Sequence, residues 1–221
     1  MDDESTLIRR NLELATLNII AADLNREIDL GRALEIALEH VARLFGRRTG
    51  WIWLLDPGGA ASLAASCSLP PALACNPERM RGDCTCLDTY RRATTERQAS
   101  VGIITCSRLK GLLDGTQGLR FHASVPLYAH GHPLGVLNVA GADWQELSSD
   151  ELRLLSTIGD LLSIVVERAR LLARNVELAA LEERNRIARE IHDTLAQRLA
   201  AITLKLEVAD TLLEGNTPAE R

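Results

Sequence analysis

The stretch FHASVPLYAHGHPLGVLNVA, residues 121–140, decides the fold of the first module of this chain. Phe121–Tyr128 and Leu134–Ala140 are apolar runs of strand length, and Gly131 and Pro133 stand between them. Two such runs around a short glycine-containing loop are typical of a β-hairpin. The stretch therefore predicts two adjacent antiparallel strands.

Further strands and helices precede this hairpin. Trp51–Leu55 is a short apolar strand that the turn signal Asp-Pro-Gly-Gly ends, and Ala61–Ser66 is a weaker strand after it. Ser5–Phe45 carries two apolar bands with helical spacing, and Leu87–Thr94 has the pattern of a short helix. The expected module is α+β, with an antiparallel sheet and helices packed on one face.

Composition limits the class of protein. At 221 residues and about 150 residues per domain, the chain holds roughly one and a half domains. The net charge of −5 excludes a whole-chain basic surface for nucleic acid or anionic membrane, and 3% aromatic residues argue against base-stacking platforms. No apolar run reaches about 18 residues, and the acidic N-terminus lacks the pattern of a signal peptide. We expect a cytoplasmic protein that contacts neither nucleic acid nor membrane.

From Ser149 onwards the pattern becomes that of one long helix. Gly159 is the only glycine, and no proline occurs, before Gly215, a span of about 65 residues or roughly 100 Å as one helix. Core positions step by three and four, and a stutter of successive steps of four follows near Glu183. The heptad positions are Leu155, Ile158, Leu162, Val165, Ala169, Leu172, Val176 and Ala179. Such a pattern predicts a coiled coil and therefore a homodimer.

The densest polar sequence on this helix, residues 182–197, reads EERNRIAREIHDTLAQ. His192 follows the core position Ile191, so it lies at the edge of the seam and reaches solvent. A neutral imidazole nitrogen is a nucleophile for phosphoryl transfer, and the adjacent Asp193 can orient the ring and accept its proton. Gln197 supplies a carboxamide of the kind that positions water for hydrolysis. A solvated helix face without chemistry is the alternative interpretation.

This string resembles the phosphoacceptor box of the NarL/DesK-type sensor histidine kinases, whose H-D-x-x-x-Q motif is matched by His192, Asp193 and Gln197. The resemblance extends from Leu181 to Glu214. It implies that His192 is autophosphorylated, that Asp193 is the general base and that Gln197 serves a phosphatase activity. It also implies a homodimer and a partner response regulator of the NarL/LuxR type, which binds DNA in place of the kinase.

Members of that family continue with a second dimerisation helix and a domain that binds ATP and Mg²⁺. This chain ends at Arg221 and contains no glycine-rich phosphate loop. We therefore expect a fragment of a longer histidine kinase, inactive by itself because the ATP-binding domain is missing from it. The alternative is a binding module on a coiled coil without kinase activity of its own.

Cysteines crowd into one segment of the chain. They are Cys67, Cys75, Cys84, Cys86 and Cys106. An odd number in a chain without an export signal argues against a disulfide framework. Crowding into one polar segment favours a metal or redox role over scattered buried thiols, which are the alternative.

The module before the long helix resembles a GAF domain, the small-ligand sensor that commonly precedes such kinases. The resemblance rests on Trp51–Leu55, Ala123–Leu127 and Gly135–Val139, in that order. It implies a sheet flanked by helices and a ligand that differs between members: a cyclic nucleotide, a tetrapyrrole, haem or a metal cluster. The predicted organisation is an N-terminal helix (1–29), a GAF sensor domain (30–148), a coiled-coil signalling helix (149–181) and the first part of the dimerisation and phosphotransfer domain (182–221).

Spacing of the cysteines narrows the choice of ligand. The pattern Cys75-x8-Cys84-x-Cys86-x19-Cys106 lacks the paired C-x2-C of zinc ribbons, whereas four thiolates hold a [2Fe–2S] or [4Fe–4S] cluster. The segment is similar to that of oxygen-sensing GAF kinases with an iron–sulfur cluster. That similarity implies Cys75, Cys84, Cys86 and Cys106 as ligands, with Cys67 as the alternative to Cys75. Zinc, a thiol redox switch and a ligand pocket stay open as alternatives.

Histidines offer a competing haem or tetrapyrrole site. His130 and His132 fall in the hairpin loop and are expected to be exposed, whereas His122 begins a strand. The low aromatic content disfavours a large stacked cofactor, so an iron–sulfur cluster is the expectation.

Overall fold

The computed structural model describes residues 2–46, 49–82, 84–93, 102–112, 114–140 and 147–214. The helices and strands within these ranges are α1 (Asp2–Arg26), α2 (Leu30–Leu44), β1 (Thr49–Leu55), β2 (Ala61–Cys67), α3 (Pro71–Ala74), α4 (Thr85–Ala93), β3 (Gly102–Thr105), β4 (Phe121–Ala129), β5 (His132–Ala140) and α5 (Ser149–Glu214). Short 3-10 helices cover Pro77–Met80 and Ser107–Leu109. The chain divides into two units, Met1–Ala169 and Arg170–Arg221, and α5 belongs to both.

The strands form one antiparallel sheet in the order β2-β1-β5-β4-β3. The predicted hairpin is confirmed, because β4 and β5 pair across a turn where His130 and Gly131 have φ values of 51° and 79°. The two strands predicted within residues 51–66 are confirmed as β1 and β2, which pair with each other. The sequence pattern does not predict β3, because its four residues are too few to show a strand period.

One face of the sheet is covered by α1, α2 and α5, in agreement with the predicted α+β architecture. The helical segment Ser5–Phe45 is two helices, because Asp29 Oδ1 accepts the backbone N–H of Arg32 at 2.8 Å and so begins α2. Leu24, Leu38 and other apolar side chains fill the space between these helices and the strands. We call this cluster the helix-side core.

The long helix predicted from Ser149 is confirmed as α5. Its first part differs from the predicted coiled coil, since the heptad positions Leu155, Ile158 and Leu162 are buried in the helix-side core. Spacing by three and four is the signature of any amphipathic helix, so a sheet and a second helix are equally compatible partners. From 171 to 210 every side chain of α5 is exposed. Within the described residues, no helix combines the length and the apolarity that a membrane span needs.

The opposite face of the sheet carries a second core, which short segments cover. Trp51 and Trp53 of β1 pack there against Leu73 of α3 and Leu87 of α4. The short helix predicted from Leu87 is therefore confirmed, although it begins at Thr85. We call this cluster the loop-side core.

Candidate functional sites

Three of the predicted metal ligands lie together in the loop-side core. Cys84 directly precedes α4, Cys86 lies in its first turn and Cys106 follows β3, and all three are buried. The backbone N–H of Thr85 donates to Ser107 Oγ at 3.1 Å and ties the two segments together. The fold thus brings sulfur atoms from two separate segments to one side of the sheet.

Cys84 and Cys86 form a close pair, with 2.8 Å between their sulfur atoms. With Cys86 as the donor, this contact stabilises a thiolate on Cys84 and lowers its pKa to about 6, while it raises the pKa of Cys86. The guanidinium of Arg108 also lowers the pKa of Cys84, whereas burial raises the pKa of Cys106. Cys84 is thus the thiol of this group that ionises near neutral pH, which is the condition for nucleophilic sulfur chemistry.

Arg108 is the central cation of this site, and no sequence pattern singles it out. Its side chain is buried and donates to the carbonyl oxygens of Arg79, Arg81 (2.8 Å) and Gly82 (2.7 Å). The guanidinium carbon lies 4.5 Å from the ring centroid of Trp53. Arg108 therefore holds the loop that leads into Cys84, through acceptors 26 or more residues away in the chain.

The described thiols do not form a four-sulfur ligand set. Cys75 is exposed at the end of α3, and Cys67 packs against the helix-side core, on the other face of the sheet. Two thiolates bound at about 2.3 Å to one tetrahedral metal lie about 3.8 Å apart; the sulfur atoms of Cys84 and Cys86 are closer than that. Among the described residues, no three His, Cys, Asp or Glu side chains are placed to hold one metal ion. An iron–sulfur cluster would therefore require this site to rearrange.

A row of buried polar groups crosses the strands on the face of the sheet that carries the loop-side core. His122 Nδ1 lies 3.0 Å from Ser124 Oγ, which donates to Asn138 Oδ1 at 2.8 Å. The imidazole stands edge-on to Trp51, with 5.0 Å between the ring centroids. Burial lowers the pKa of His122 to about 4, so the imidazole is neutral at physiological pH. The sheet thus contains a neutral histidine with hydrogen-bonded neighbours.

The loop-side face also contains buried polar atoms that lack a hydrogen-bond partner among the described residues. They are Trp51 Nε1, Trp53 Nε1, Arg108 Nε, Asn138 Nδ2 and Tyr128 Oη. A cavity of about 510 Å³ adjoins Trp53 and is lined by residues of β2 and of the segment 69–82. Of these five residues only Trp53 lines the cavity, so its Nε1 is the unpartnered donor that a small molecule bound there could meet.

The second candidate site lies on α5 in the second unit. His192, Asp193 and Gln197 are helical and exposed. On the N-terminal side of the histidine, Arg186 Nε donates to Glu183 Oε2 at 2.8 Å, and the same pairing lowers the pKa of Glu183. His192 is therefore accessible to a macromolecular partner, on a helix whose exposed charges are already paired in part.

An exposed apolar strip runs along the same helix. Its members follow the spacing of a helical seam and are Ile187, Ile191, Leu195, Leu199, Ile202 and Leu206. An apolar strip of this length on an exposed helix marks an interaction surface. His192 lies at its border, because it follows Ile191 directly.

Comparisons with known proteins match both regions of the chain. The sequence profile of the GAF domain family matches residues 27–167, and that of the HisKA_3 histidine kinase family matches residues 183–221. The sensor histidine kinase YhcY of Bacillus subtilis is 33% identical over 206 residues, which cover 90% of this chain and 54% of YhcY. The sensor histidine kinase DesK of the same organism is 55% identical over 40 residues, 18% of this chain and 11% of DesK. The chain thus spans about half the length of YhcY.

The fold also has solved counterparts. The GAF domain of the Acinetobacter phosphoenolpyruvate-protein phosphotransferase has a TM-score of 0.55 at 23% identity, over 73% of this chain and 96% of that domain. At this identity the likeness shows a shared fold.

Proposed function

Because this chain belongs to the GAF domain family and continues into a histidine kinase segment, we propose that it is the sensory and phosphoacceptor part of a two-component sensor histidine kinase. Both family predictions made from the sequence are confirmed. The observation that carries the proposal is His192, exposed beside Asp193 and Gln197 within the matched residues 183–221.

In the proposed reaction, a neutral imidazole nitrogen of His192 attacks the γ-phosphorus of ATP. A nitrogen–phosphorus bond forms, the bond from the γ-phosphorus to the ADP oxygen breaks, and the proton on the other ring nitrogen passes to Asp193. ATP and Mg²⁺ are held by a catalytic domain outside this chain, so the chain alone is expected to be inactive. Gln197 positions the water for the phosphatase activity that the motif implies.

The proposal includes two protein partners. A second copy of the chain covers the apolar strip of α5 in a homodimer, because a heptad seam needs a matching helix. A response regulator then accepts the phosphoryl group on an aspartate, and the kinship with DesK favours one of the NarL type. We place this protein in the cytoplasm, with the contact to DNA made by the regulator and none made to a membrane.

Phosphorylation by labelled ATP tests the acceptor, in the longer protein that includes an ATP-binding domain. His192→Gln should abolish acid-labile labelling, because the nucleophilic nitrogen is removed. His132→Gln is the matched control, since that histidine is also exposed but lies at the start of β5. Labelling that survives in His192→Gln would show that another residue is the acceptor.

For the signal, we propose oxygen or redox state, sensed at Cys84, Cys86 and Cys106. Three buried thiols beside one buried guanidinium support this proposal. In the first version of this proposal, the thiols hold an iron–sulfur cluster, which would supply redox chemistry when bound. Cys75 is the proposed fourth ligand, because Cys67 packs against the helix-side core on the other face of the sheet.

Anaerobic reconstitution with ferrous iron and sulfide tests this form. Visible absorption and equal iron and sulfide contents are expected, and Cys84→Ser should lower both. Cys67→Ser is the control, because a thiol in the helix-side core should leave the iron content unchanged. A colourless, iron-free protein after reconstitution would exclude the cluster.

A second form, a thiol redox switch, is favoured by the 2.8 Å contact between the sulfur atoms of Cys84 and Cys86. Peroxide would oxidise Cys84 to a sulfenic acid with release of one water, and attack by the Cys86 thiol would then form a disulfide and release a second water. The two thiols together lose two electrons and two protons. Mass spectrometry of the metal-free protein should show a loss of two hydrogens that Cys86→Ser prevents. Thiols that resist peroxide would instead favour a small ligand in the cavity beside Trp53.

A further inference from the structure

The peptide group between Leu127 and Tyr128 has helix partners at both ends. Its carbonyl oxygen, on Leu127, accepts a hydrogen bond of 2.6 Å from the Tyr90 hydroxyl. Its N–H, on Tyr128, donates to Ser163 Oγ at 3.0 Å. One planar group therefore joins a side chain of α4 to a side chain of α5.

The two helices lie on opposite faces of the sheet. Tyr90 belongs to the loop-side core, together with Cys84 and Cys86. Ser163 is buried on the part of α5 that packs in the helix-side core. The pairing register of β4 and β5 shifts between Leu127 and Tyr128, and such an irregularity releases a peptide group from the regular ladder. The register shift thus makes this peptide available as a bridge through the sheet.

Ser163 also anchors its own helix against β4. Its hydroxyl donates to the Gly159 carbonyl oxygen at 2.7 Å and accepts from Tyr128, so its proton and a lone pair are both in use. A Cβ on Gly159 would lie 2.7 Å from Val125 Cγ1, which shows how closely the helix backbone approaches the strand. A change at the Tyr128 N–H therefore acts on the segment of α5 that rests directly on the sheet.

We propose that Tyr90, the Leu127–Tyr128 peptide and Ser163 form a relay that couples α4 to α5. A hydrogen bond to the carbonyl polarises the peptide and strengthens the bond made by its N–H, so the two bonds stabilise each other. Movement of α4, which carries Cys86, would weaken the Tyr90 bond and thereby loosen Ser163. The coupling itself does not depend on the proposed function. Its consequence for His192, which lies on the same helix, rests on the proposed function. Tyr90 and Ser163 are thus positioning residues.

Amide hydrogen exchange of this chain, resolved by NMR, tests the coupling without any knowledge of the signal. Tyr90→Phe keeps the ring and removes the hydroxyl, and it should speed exchange of the Tyr128 amide about fivefold relative to the Val125 amide on the same strand. Burial raises the pKa of Tyr90, so the hydroxyl of the unsubstituted protein remains a donor at the pH of the measurement. Ser163→Thr keeps a hydroxyl and should leave exchange of the Tyr128 amide within about twofold.

Two comparisons separate a relay from ordinary destabilisation. In Tyr90→Phe/Ser163→Ala the two effects on the Tyr128 amide should be less than multiplicative, because both substitutions break one coupled unit. Thr157→Ala is the matched control, since Thr157 Oγ1 makes the same bond within the helix, to the Arg153 carbonyl at 3.0 Å, but on the exposed side of α5. Unchanged exchange at Tyr128 in Tyr90→Phe, or equal acceleration at Tyr128 and Val125, would overturn the proposal.

The functional consequence is measured in the longer kinase. Labelling of His192 with ATP is compared between oxidised and reduced protein, and Tyr90→Phe should bring the ratio of the two states close to one. A ratio that stays at the value of the unsubstituted protein would overturn the signalling role of the relay. Absence of any labelling at His192 would contradict the proposed function instead, and the exchange result at Tyr128 would stand independently of it.

Discussion

Replacement of Gly159 by alanine should destabilise the first unit, although alanine favours helices. In the interior of α5 the substitution gains about 1 kcal/mol of helix propensity. The new Cβ, however, would lie 2.7 Å from Val125 Cγ1 and 3.4 Å from the Pro126 carbonyl oxygen. Overpacking of this kind costs about 1–3 kcal/mol, and a shift of α5 also weakens the bond from Tyr128 to Ser163, worth about 1 kcal/mol. We expect a net loss of about 2 kcal/mol in the free energy of unfolding.

Urea unfolding followed by tryptophan fluorescence measures this loss, because Trp51 and Trp53 are buried in the first unit. The same loss should lower Tm by about 4–8 °C. Gly31→Ala in α2 is the matched control, since the nearest atom to its Cβ is Asp29 Oδ1 at 3.3 Å, so a shift of a few tenths of an ångström relieves the contact and keeps the bond from Asp29 to the Arg32 N–H. The control should lower the free energy of unfolding by less than about 0.5 kcal/mol.

A second substitution tests whether the clash is the cause. Val125→Ala removes the methyl group that meets the new Cβ, so in the double variant the cost of Gly159→Ala should fall by at least about 0.5 kcal/mol. A Gly159→Ala protein as stable as the unsubstituted one would refute the direct packing of α5 on β4. Additive effects of the two substitutions would refute the assignment of the clash to Val125.

Three further predictions concern the sheet and the loop-side core. The pKa of His122 is about 4 in the folded protein and near 6.5 in the unfolded chain. Between these two pH values only the unfolded chain binds the proton, so the free energy of unfolding falls as the pH falls from 6.5 to 4. Between about pH 7.5 and 4.5 the unsubstituted protein should therefore lose about 2–3 kcal/mol more than His122→Gln, and equal losses in urea unfolding would contradict this. Arg108→Lys replaces the two guanidinium nitrogens that bond the three carbonyl groups by a single ammonium nitrogen, which cannot occupy both positions, so the free energy of unfolding should fall by about 2–3 kcal/mol and a thiol reagent should reach Cys84 faster; unchanged reactivity would argue against its role in holding the loop. Gly135→Ala would place a Cβ on the Trp53 carbonyl oxygen, which should prevent pairing of β1 with β5; an unaltered circular dichroism spectrum and urea midpoint would be the contrary result.

The elements that the sequence predicts correctly are those with local signals. The hairpin of β4 and β5 follows from two apolar runs around a turn with positive φ at His130 and Gly131. The length of α5 follows from the near absence of glycine and proline between Ser149 and Glu214. The phosphoacceptor motif around His192 is likewise a matter of spacing along one helix.

The cysteine segment shows that closeness along the sequence does not predict which core a side chain joins. Cys67 and Cys84 belong to one crowded stretch of sequence, yet the first packs in the helix-side core and the second in the loop-side core. Spacing also assigns Leu155 and Ile158 to a coiled-coil seam, whereas the sheet buries them. A periodic pattern states that a face is apolar and leaves the partner of that face open.

The sequence by itself determined the strands, the long helix and the motif around His192, because each depends on residues that are neighbours along the chain. Only the tertiary structure decided which thiols meet, that Arg108 holds their loop, and that the Leu127–Tyr128 peptide joins two helices. The physical reason is that burial and hydrogen bonding of these groups depend on segments tens of residues apart. Such contacts exist only once the sheet has formed between them.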